Sequence, residues 1–188
     1  MPAANLSRDD VIALILQVFR RYGYEGSSLA RLSAATGLGR SSLYHYFPNG
    51  KEDMAQAAMQ FVTTWLRENL FSALEGSGSP QKRLTHFAAK LSEFYEDGAQ
   101  SCLMDVFSIG EAGVLFQVGL GERLGLLISA LTKVIEEAGF PHAEAARRAE
   151  NAVIAWEGAL VVSRALGTTA PFLRTVAEFS ERVLCPEG

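Results

Sequence analysis

Apolar residues return every three or four positions along almost the whole chain, and nowhere do they alternate in the two-residue rhythm of a strand. That pattern restricts the chain to helices packed on helices. Ser7 can cap a first helix whose opening turn sets Asp9 and Asp10 against the positive end of the helix dipole. Val11, Ile12, Leu14, Ile15, Val18, Phe19 and Tyr22 follow at helical spacing until Gly23 stops them. Ser27 or Ser28 can open a second helix over 29–36, which Gly37 breaks. A third short helix spans about 40–46 and ends before the turn Pro48-Asn49-Gly50. A long helix then runs from Lys51 to about Glu75, followed by the linker-like Gly76-Ser77-Gly78-Ser79-Pro80. Helices over 81–96, 114–138, 143–166 and 171–184 complete the pattern, and the glycine-scattered stretch 98–113 gives no clear signal. The spacing predicts an all-α fold of about nine helices.

Composition narrows the function classes. With 48 % apolar and 20 % charged residues, 188 residues are enough to bury a core without disulfides. The longest run free of Asp, Glu, Lys and Arg is 54–66, 13 residues, short of the roughly 20 that a bilayer span needs. No membrane segment is expected, and residues 1–5 lack the start of a signal peptide. Cys102 and Cys185 stand alone, offering neither a disulfide framework nor a metal pair, which fits a reducing cytoplasm. His45, His86 and His142 are isolated, and no HExxH, GxSxG, P-loop or dinucleotide-binding glycine motif occurs in a suitable context. Ser101 and Cys102 have no identifiable base. An enzyme, a metal site and a cofactor are not expected.

The net charge of −4 hides its distribution. Residues 1–54 hold Arg8, Arg20, Arg21, Arg31, Arg40 and Lys51 against five acidic side chains, a balance of +1, and the remainder carries −5. Nucleic acid is therefore not excluded, but its affinity must rest on a few placed cations, hydroxyls and helix N-termini.

Residues 28–46 carry the functional signal. Two short helices meet at Gly37, which can take the positive φ of a tight turn, with the small Ser33 where the helices cross. Leu32, Leu38 and Leu43 stand where the two helices pack, and Tyr46 closes the far end. The opposite face of the third helix carries Arg40, Ser41, Ser42 and His45, hydrogen-bonding groups suited to base edges in a major groove. Ser28 at a helix N-terminus, the phenols of Tyr44 and Tyr46, and Lys51 at the start of the long helix suit phosphates. A second reading makes Tyr44, Tyr46 and Phe47 core aromatics, and Phe47 is expected in the core.

The run Thr36-Gly37-Leu38-Gly39-Arg40-Ser41-Ser42-Leu43-Tyr44-His45-Tyr46-Phe47, then Lys51-Glu52-Asp53-Met54, closely resembles the DNA-binding domain of TetR-family regulators. Phe19-Arg20-Arg21-Tyr22-Gly23-Tyr24-Glu25-Gly26-Ser27-Ser28 is similar to that family's entry into its second helix, and the resemblance covers about residues 7–65. The turn Pro48-Asn49-Gly50-Lys51, one residue longer than the commonest form, resembles the LmrA/YxaF-like branch. Two positions depart from the usual pattern: Ser41 where glycine is frequent, and Thr36 where alanine is.

The resemblance implies a three-helix DNA-binding domain with a helix-turn-helix over 1–50 and a larger helical ligand-binding and dimerisation domain over 51–188. It implies a homodimer on a palindromic double-stranded operator, usually a repressor, released when a small effector favours the non-binding state. The helix from Lys51 would be the lever between the two parts. Phe61, Trp65, Phe87, Phe94, Met104, Phe107, Phe116 and Trp156 are the candidate lining of an effector pocket and favour an apolar or aromatic compound. Ala152, Trp156, Ala159, Leu160 and Ser163, with Phe172, Val176, Phe179 and Val183, form the stripes expected at a dimer interface. An activator, a redox-responsive regulator using Cys102 and Cys185, and a protein that kept the fold but lost DNA are the alternatives.

Overall fold

The computed structural model describes residues 6–185, so residues 1–5, on which the signal-peptide expectation rests, lie outside the described residues. Every described element is a helix, and no strand occurs among the described residues. The chain divides into two compact units: residues up to Thr64 together with Leu103–Gln117, and Trp65–Cys102 together with the residues from Val118 onward.

In the first unit, α1 (Arg8–Gly26) opens on a reciprocal cap. The Ser7 hydroxyl accepts the Asp10 N–H at 3.1 Å, while the Asp10 carboxylate accepts the Ser7 N–H at 2.9 Å. The helix is broken at Gly23 by a φ of +67°, a conformation that costs glycine nothing. Ser27, fully buried, donates its hydroxyl to the Gly23 carbonyl at 2.5 Å and so fixes the corner. Helix α2 (Leu29–Thr36) is capped by Ser28, whose Oγ accepts the Arg31 N–H at 3.3 Å, which settles the choice between Ser27 and Ser28. Gly37 ends it at φ +70°, and α3 (Arg40–Tyr46) follows. Ile15, Phe19, Leu32, Leu43, Phe47 and Met54 form the fully buried centre.

The glycine-scattered stretch contributes α6 (Leu103–Phe107) and the first turns of α7 (Gly110–Glu137) to this unit. Phe107 stands edge-on to Phe19 at 5.2 Å between ring centroids, and Phe116 edge-on to Tyr24 at 5.6 Å. These four rings are core, filled at the separations aromatic pairs favour.

Helix α4 starts at Lys51 in the first unit and continues over Lys51–Leu66, a wider π-type stretch Arg67–Phe71 and a last turn Ser72–Glu75 in the second. In that second unit, α5 (Pro80–Phe94) begins with the Ser79 hydroxyl accepting the Lys82 N–H and Pro80 in the first turn, where a missing N–H is harmless. Helix α8 (His142–Leu166) ends at Gly167, φ +65°. The terminal helix expected over 171–184 is two: α9 (Ala170–Ala177) and α10 (Phe179–Leu184), with Glu178 at φ −93°, ψ 1° between them. Counting 51–75 as one helix, the described residues form ten rather than nine.

Phe87, Trp156, Phe172 and Phe179 centre the second core. Two buried arginines fasten its edges. Arg83 donates to the Leu74 carbonyl at 3.1 Å and pairs with Glu137. Arg148 lies over the Phe140 ring at 4.2 Å, pairs with Glu144, and donates to the carbonyls of Val183 and Cys185, holding the end of α10. By length and composition alone α7 reaches what a membrane crossing requires, although Glu122 and Arg123 stand inside it.

Candidate nucleic-acid interface

The geometry of α3 follows from which of its residues are anchored. Leu43 and Phe47 are buried at 0 % and 1 % exposure and clamp the helix to the core, as expected for Phe47. Arg40, Ser41, Tyr44, His45 and Tyr46 are exposed, and Ser42 is half-buried. The short helix is held at its start by the turn before it. The Ser33 hydroxyl donates to the Leu38 carbonyl at 2.6 Å, so the small residue at the crossing also ties the two helices together. Thr36, the departure from the usual alanine, is buried, donates to the Leu32 carbonyl at 2.8 Å and accepts the Leu38 N–H at 3.3 Å. Its hydroxyl thus closes the turn.

The turn after α3 is equally constrained. Gly50 has φ +67°, and a Cβ there would meet the Tyr44 ring at 3.2 Å. The Tyr44 ring thus lies over Gly50, which puts its position under the control of the turn. Asp53 accepts the Asn49 backbone N–H at 2.7 Å and its side-chain amide at 3.1 Å, pinning the same turn from the next helix.

Ser28 and Lys51, assigned to phosphates, stand differently. Ser28 is exposed, with its hydroxyl committed to capping α2. Lys51 is half-buried and places Nζ 4.0 Å over the Tyr24 ring. Burial, and then the carboxylates of Glu111, Glu52 and Glu25, push the Tyr24 phenol up from its ordinary value. Lys51 therefore also has a structural partner.

Sequence reasoning missed Glu25. Its carboxylate accepts the N–H groups of Glu111 at 2.6 Å and Ala112 at 3.4 Å, capping α7 across 86 positions of chain. Its own backbone N–H does most to hold the carboxyl below the usual glutamate value; burial opposes this, and the N–H groups of Glu111 and Ala112 and the charge of Lys51 add smaller lowering effects. Gly110, at φ +63°, leaves no room for a Cβ beside it. No local signal marks this contact, because it joins segments far apart in sequence.

The candidate effector residues fall into separate groups. Phe107 and Phe116 are core of the first unit, and Phe61 and Met104, half-buried, belong to that unit too. Phe87 and Trp156 are core of the second, 5.8 Å apart, with the Trp156 indole N–H on Glu157 at 3.0 Å. Trp65 and Phe94 are half-buried and face each other at 4.6 Å. Four of the eight, Phe87, Phe107, Phe116 and Trp156, are thus packed into the two cores. A half-open cavity of about 290 Å³ in the second unit is lined by Gly98–Ser101, Leu160, Ser163, Arg164 and Gly167–Thr169, with Arg164 donating to the Ser101 hydroxyl at 2.7 Å. Its lining includes none of the candidate aromatics.

The candidate dimer residues lie on the inner side of their helices. Ala152, Trp156, Ala159, Leu160, Ser163, Phe172, Phe179 and Val183 are buried within the chain's own second unit, and Val176 is half-buried. They form the inner stripes of their helices. The outer face of α8 is apolar as well: Ile154, Val161, Val162 and Leu166 are 42–66 % exposed. Cys102 is buried, with the Tyr95 hydroxyl donating to its sulfur at 3.2 Å, and Cys185 is exposed.

Comparison with known proteins agrees with this geometry. Residues 11–58 match the family model of bacterial regulatory proteins, tetR family. The chain is 28 % identical over 86 residues to the HTH-type transcriptional regulator LmrA of Bacillus subtilis, 46 % of each chain. It is 25 % identical over 97 residues to the regulator YxaF of the same organism, covering 52 % of this chain and 51 % of YxaF. To the HTH-type transcriptional repressor DhaR of a Mycobacterium species it is 31 % identical over 94 residues, 50 % of this chain and 46 % of DhaR. It thus spans about half the length of the curated relatives it matches. A TetR regulator from Legionella pneumophila superposes with a TM-score of 0.80 at 21 % identity, covering 97 % of this chain and 98 % of that one. The regulator CifR, solved with its 26-base-pair operator, superposes with a TM-score of 0.72 at 19 % identity, covering 95 % and 97 %. Residues 11–58 belong to the tetR family of bacterial regulatory proteins, and the chain is similar to the regulators LmrA and YxaF.

Proposed function

We propose that this chain is a ligand-responsive repressor that binds a palindromic operator as a homodimer. In this reading residues 1–50 form the DNA-binding domain, and 51–188 bind the effector and form the dimer. The observation that carries it is α3: one face buried through Leu43 and Phe47, the other presenting Arg40, Ser41, Tyr44 and His45 outward. A helix so anchored can enter a major groove without reorganising, with Arg40 and His45 at base edges and Tyr44 and Tyr46 on phosphates. CifR, complexed with operator DNA, and DhaR, named a repressor, support this reading by similarity.

The dimer is supported by the outer face of α8 together with Leu173 on α9, 42 % exposed. The effector is supported by the half-buried pair Trp65 and Phe94, which suits a small apolar or aromatic compound. Release requires that the effector favour a state in which the two recognition helices no longer fit successive grooves, with α4 as the lever. The burial of Cys102 beneath Tyr95 gives the redox alternative no support.

The test is a mobility shift with a duplex taken from immediately upstream of the gene. Arg40→Ala and Tyr44→Ala should each weaken binding while leaving the helical signal unchanged. Undiminished binding after changes at both Tyr44 and Lys51 would overturn the assignment of these side chains to DNA.

A further inference from the structure

The first unit has a second cationic feature, outside α3. At the corner between α1 and α2, the exposed Tyr22 ring has Arg31 over it at 4.3 Å and Arg21 at 5.4 Å. Arg31 makes one further contact, donating Nη1 to the Gly26 carbonyl at 2.5 Å. A guanidinium has five N–H donors, so most of them stay available. Neither arginine meets a carboxylate among the described residues. Elsewhere Arg83, Arg148 and Arg182 are neutralised by Glu137, Glu144 and Glu178. What sets Arg21 and Arg31 apart is that both are held on one exposed ring with their charge uncompensated.

We propose that the Arg21–Tyr22–Arg31 stack is a preformed phosphate grip, a second and sequence-independent contact to the DNA backbone. It rests on the DNA-binding function proposed above. The aromatic ring supports both side chains, so less rotamer freedom remains to be lost when a phosphate arrives. Arg31 lies three residues into α2, beside the helix N-terminus where Ser28 caps, so the partial positive charge of that terminus adds to the guanidinium. This placement helps a region with a charge of only +1 to hold a polyanion: two of its six cations are brought together on one ring. The chemistry recognised is the phosphodiester of a duplex, not a base edge.

The test compares the salt dependence of binding to two duplexes, one from upstream of the gene and one of scrambled sequence. Removing one arginine from a phosphate lowers the slope of log affinity against log salt by about 0.9, so Arg21→Ala with Arg31→Ala should lower it by about 1.8 per bound protomer. Between about 50 and 200 mM salt, that makes the variant's affinity fall roughly tenfold less per protomer than the wild type's. The change should be equal on both duplexes, because phosphates carry no sequence. Arg31→Ala also removes the hydrogen bond to Gly26, so Arg21→Ala alone is the control, with half the change in slope and the fold intact. An unchanged slope in the double variant, with the wild type still preferring the upstream duplex, overturns the grip and leaves the proposed function standing. A wild type that binds neither duplex overturns both.

Discussion

Helices α3 and α8 are each held to the chain by one apolar face, and they differ in what the other face carries. On α3 it is Arg40, Ser41, Tyr44 and His45. On α8 it is Ile154, Val161, Val162 and Leu166. A polar outer face is comfortable in water and able to exchange water for base edges and phosphates. An apolar outer face is stable only if something covers it, and a contiguous patch of this kind marks an association surface. The same helical period thus leaves two kinds of free face, and the proposed function assigns each to a different partner.

The anchored side of α3 gives the largest expected effect. Phe47→Ala should cost about 3–5 kcal/mol, the usual range for emptying a fully buried phenylalanine site, measured by urea unfolding. A loss under about 1 kcal/mol would show that α3 is not held by that face. On α8, Val161→Glu should weaken self-association by roughly 3 kcal/mol, the scale of like charges set together across an interface, with helicity preserved. Sedimentation would detect this, and a variant that associates like the wild type would remove α8 from the interface. Thr36→Ala should cost about 1 kcal/mol, because it removes two hydrogen bonds from a turn where alanine is otherwise acceptable. No change in thermal midpoint would mean that the hydroxyl is incidental.

The smallest effect concerns Glu25. Its carboxyl is held below the ordinary value in the folded chain, first by its own backbone N–H and then by those of Glu111 and Ala112. Such a group contributes stability above its unfolded pKa, and the contribution is lost as pH falls through the lower folded value. The wild type should therefore lose stability in the acid range, below about pH 4.5, more steeply than Glu25→Gln. Parallel acid-unfolding curves for the two proteins would show that the Glu25 carboxylate contributes nothing to stability.

Local chemistry explains what is legible in the sequence. Ser7, Gly23, Gly37 and Gly167 begin and end helices through their own side chains or φ angles, each where its position suggests. Helix α3 is legible for the same reason, since Gly37, Leu43 and Phe47 act within a dozen residues of one another. The Glu25 cap and the pairing of Phe107 with Phe19 join distant segments, and nothing local announces them. Spacing alone assigns the dimer stripe to the inner face of α8, because both faces of that helix are apolar. Periodicity finds a stripe but does not say whether the same chain or another covers it. Equally, a set of aromatic positions does not separate the close-packed Phe87, Phe107, Phe116 and Trp156 from the half-exposed Trp65 and Phe94.

The central claim is that the outward face of α3 reads a specific operator. The direct measurement is the affinity of the intact chain for the upstream duplex and for a scrambled one, repeated with Arg40→Ala. The wild type should prefer the upstream duplex by at least about a thousandfold, the lower end for specific binders. Arg40→Ala should give up roughly 1–3 kcal/mol of that preference, the worth of one bidentate pairing with a base, at unchanged stability. Equal affinity for both duplexes, or a preference that Arg40→Ala leaves untouched, would contradict it.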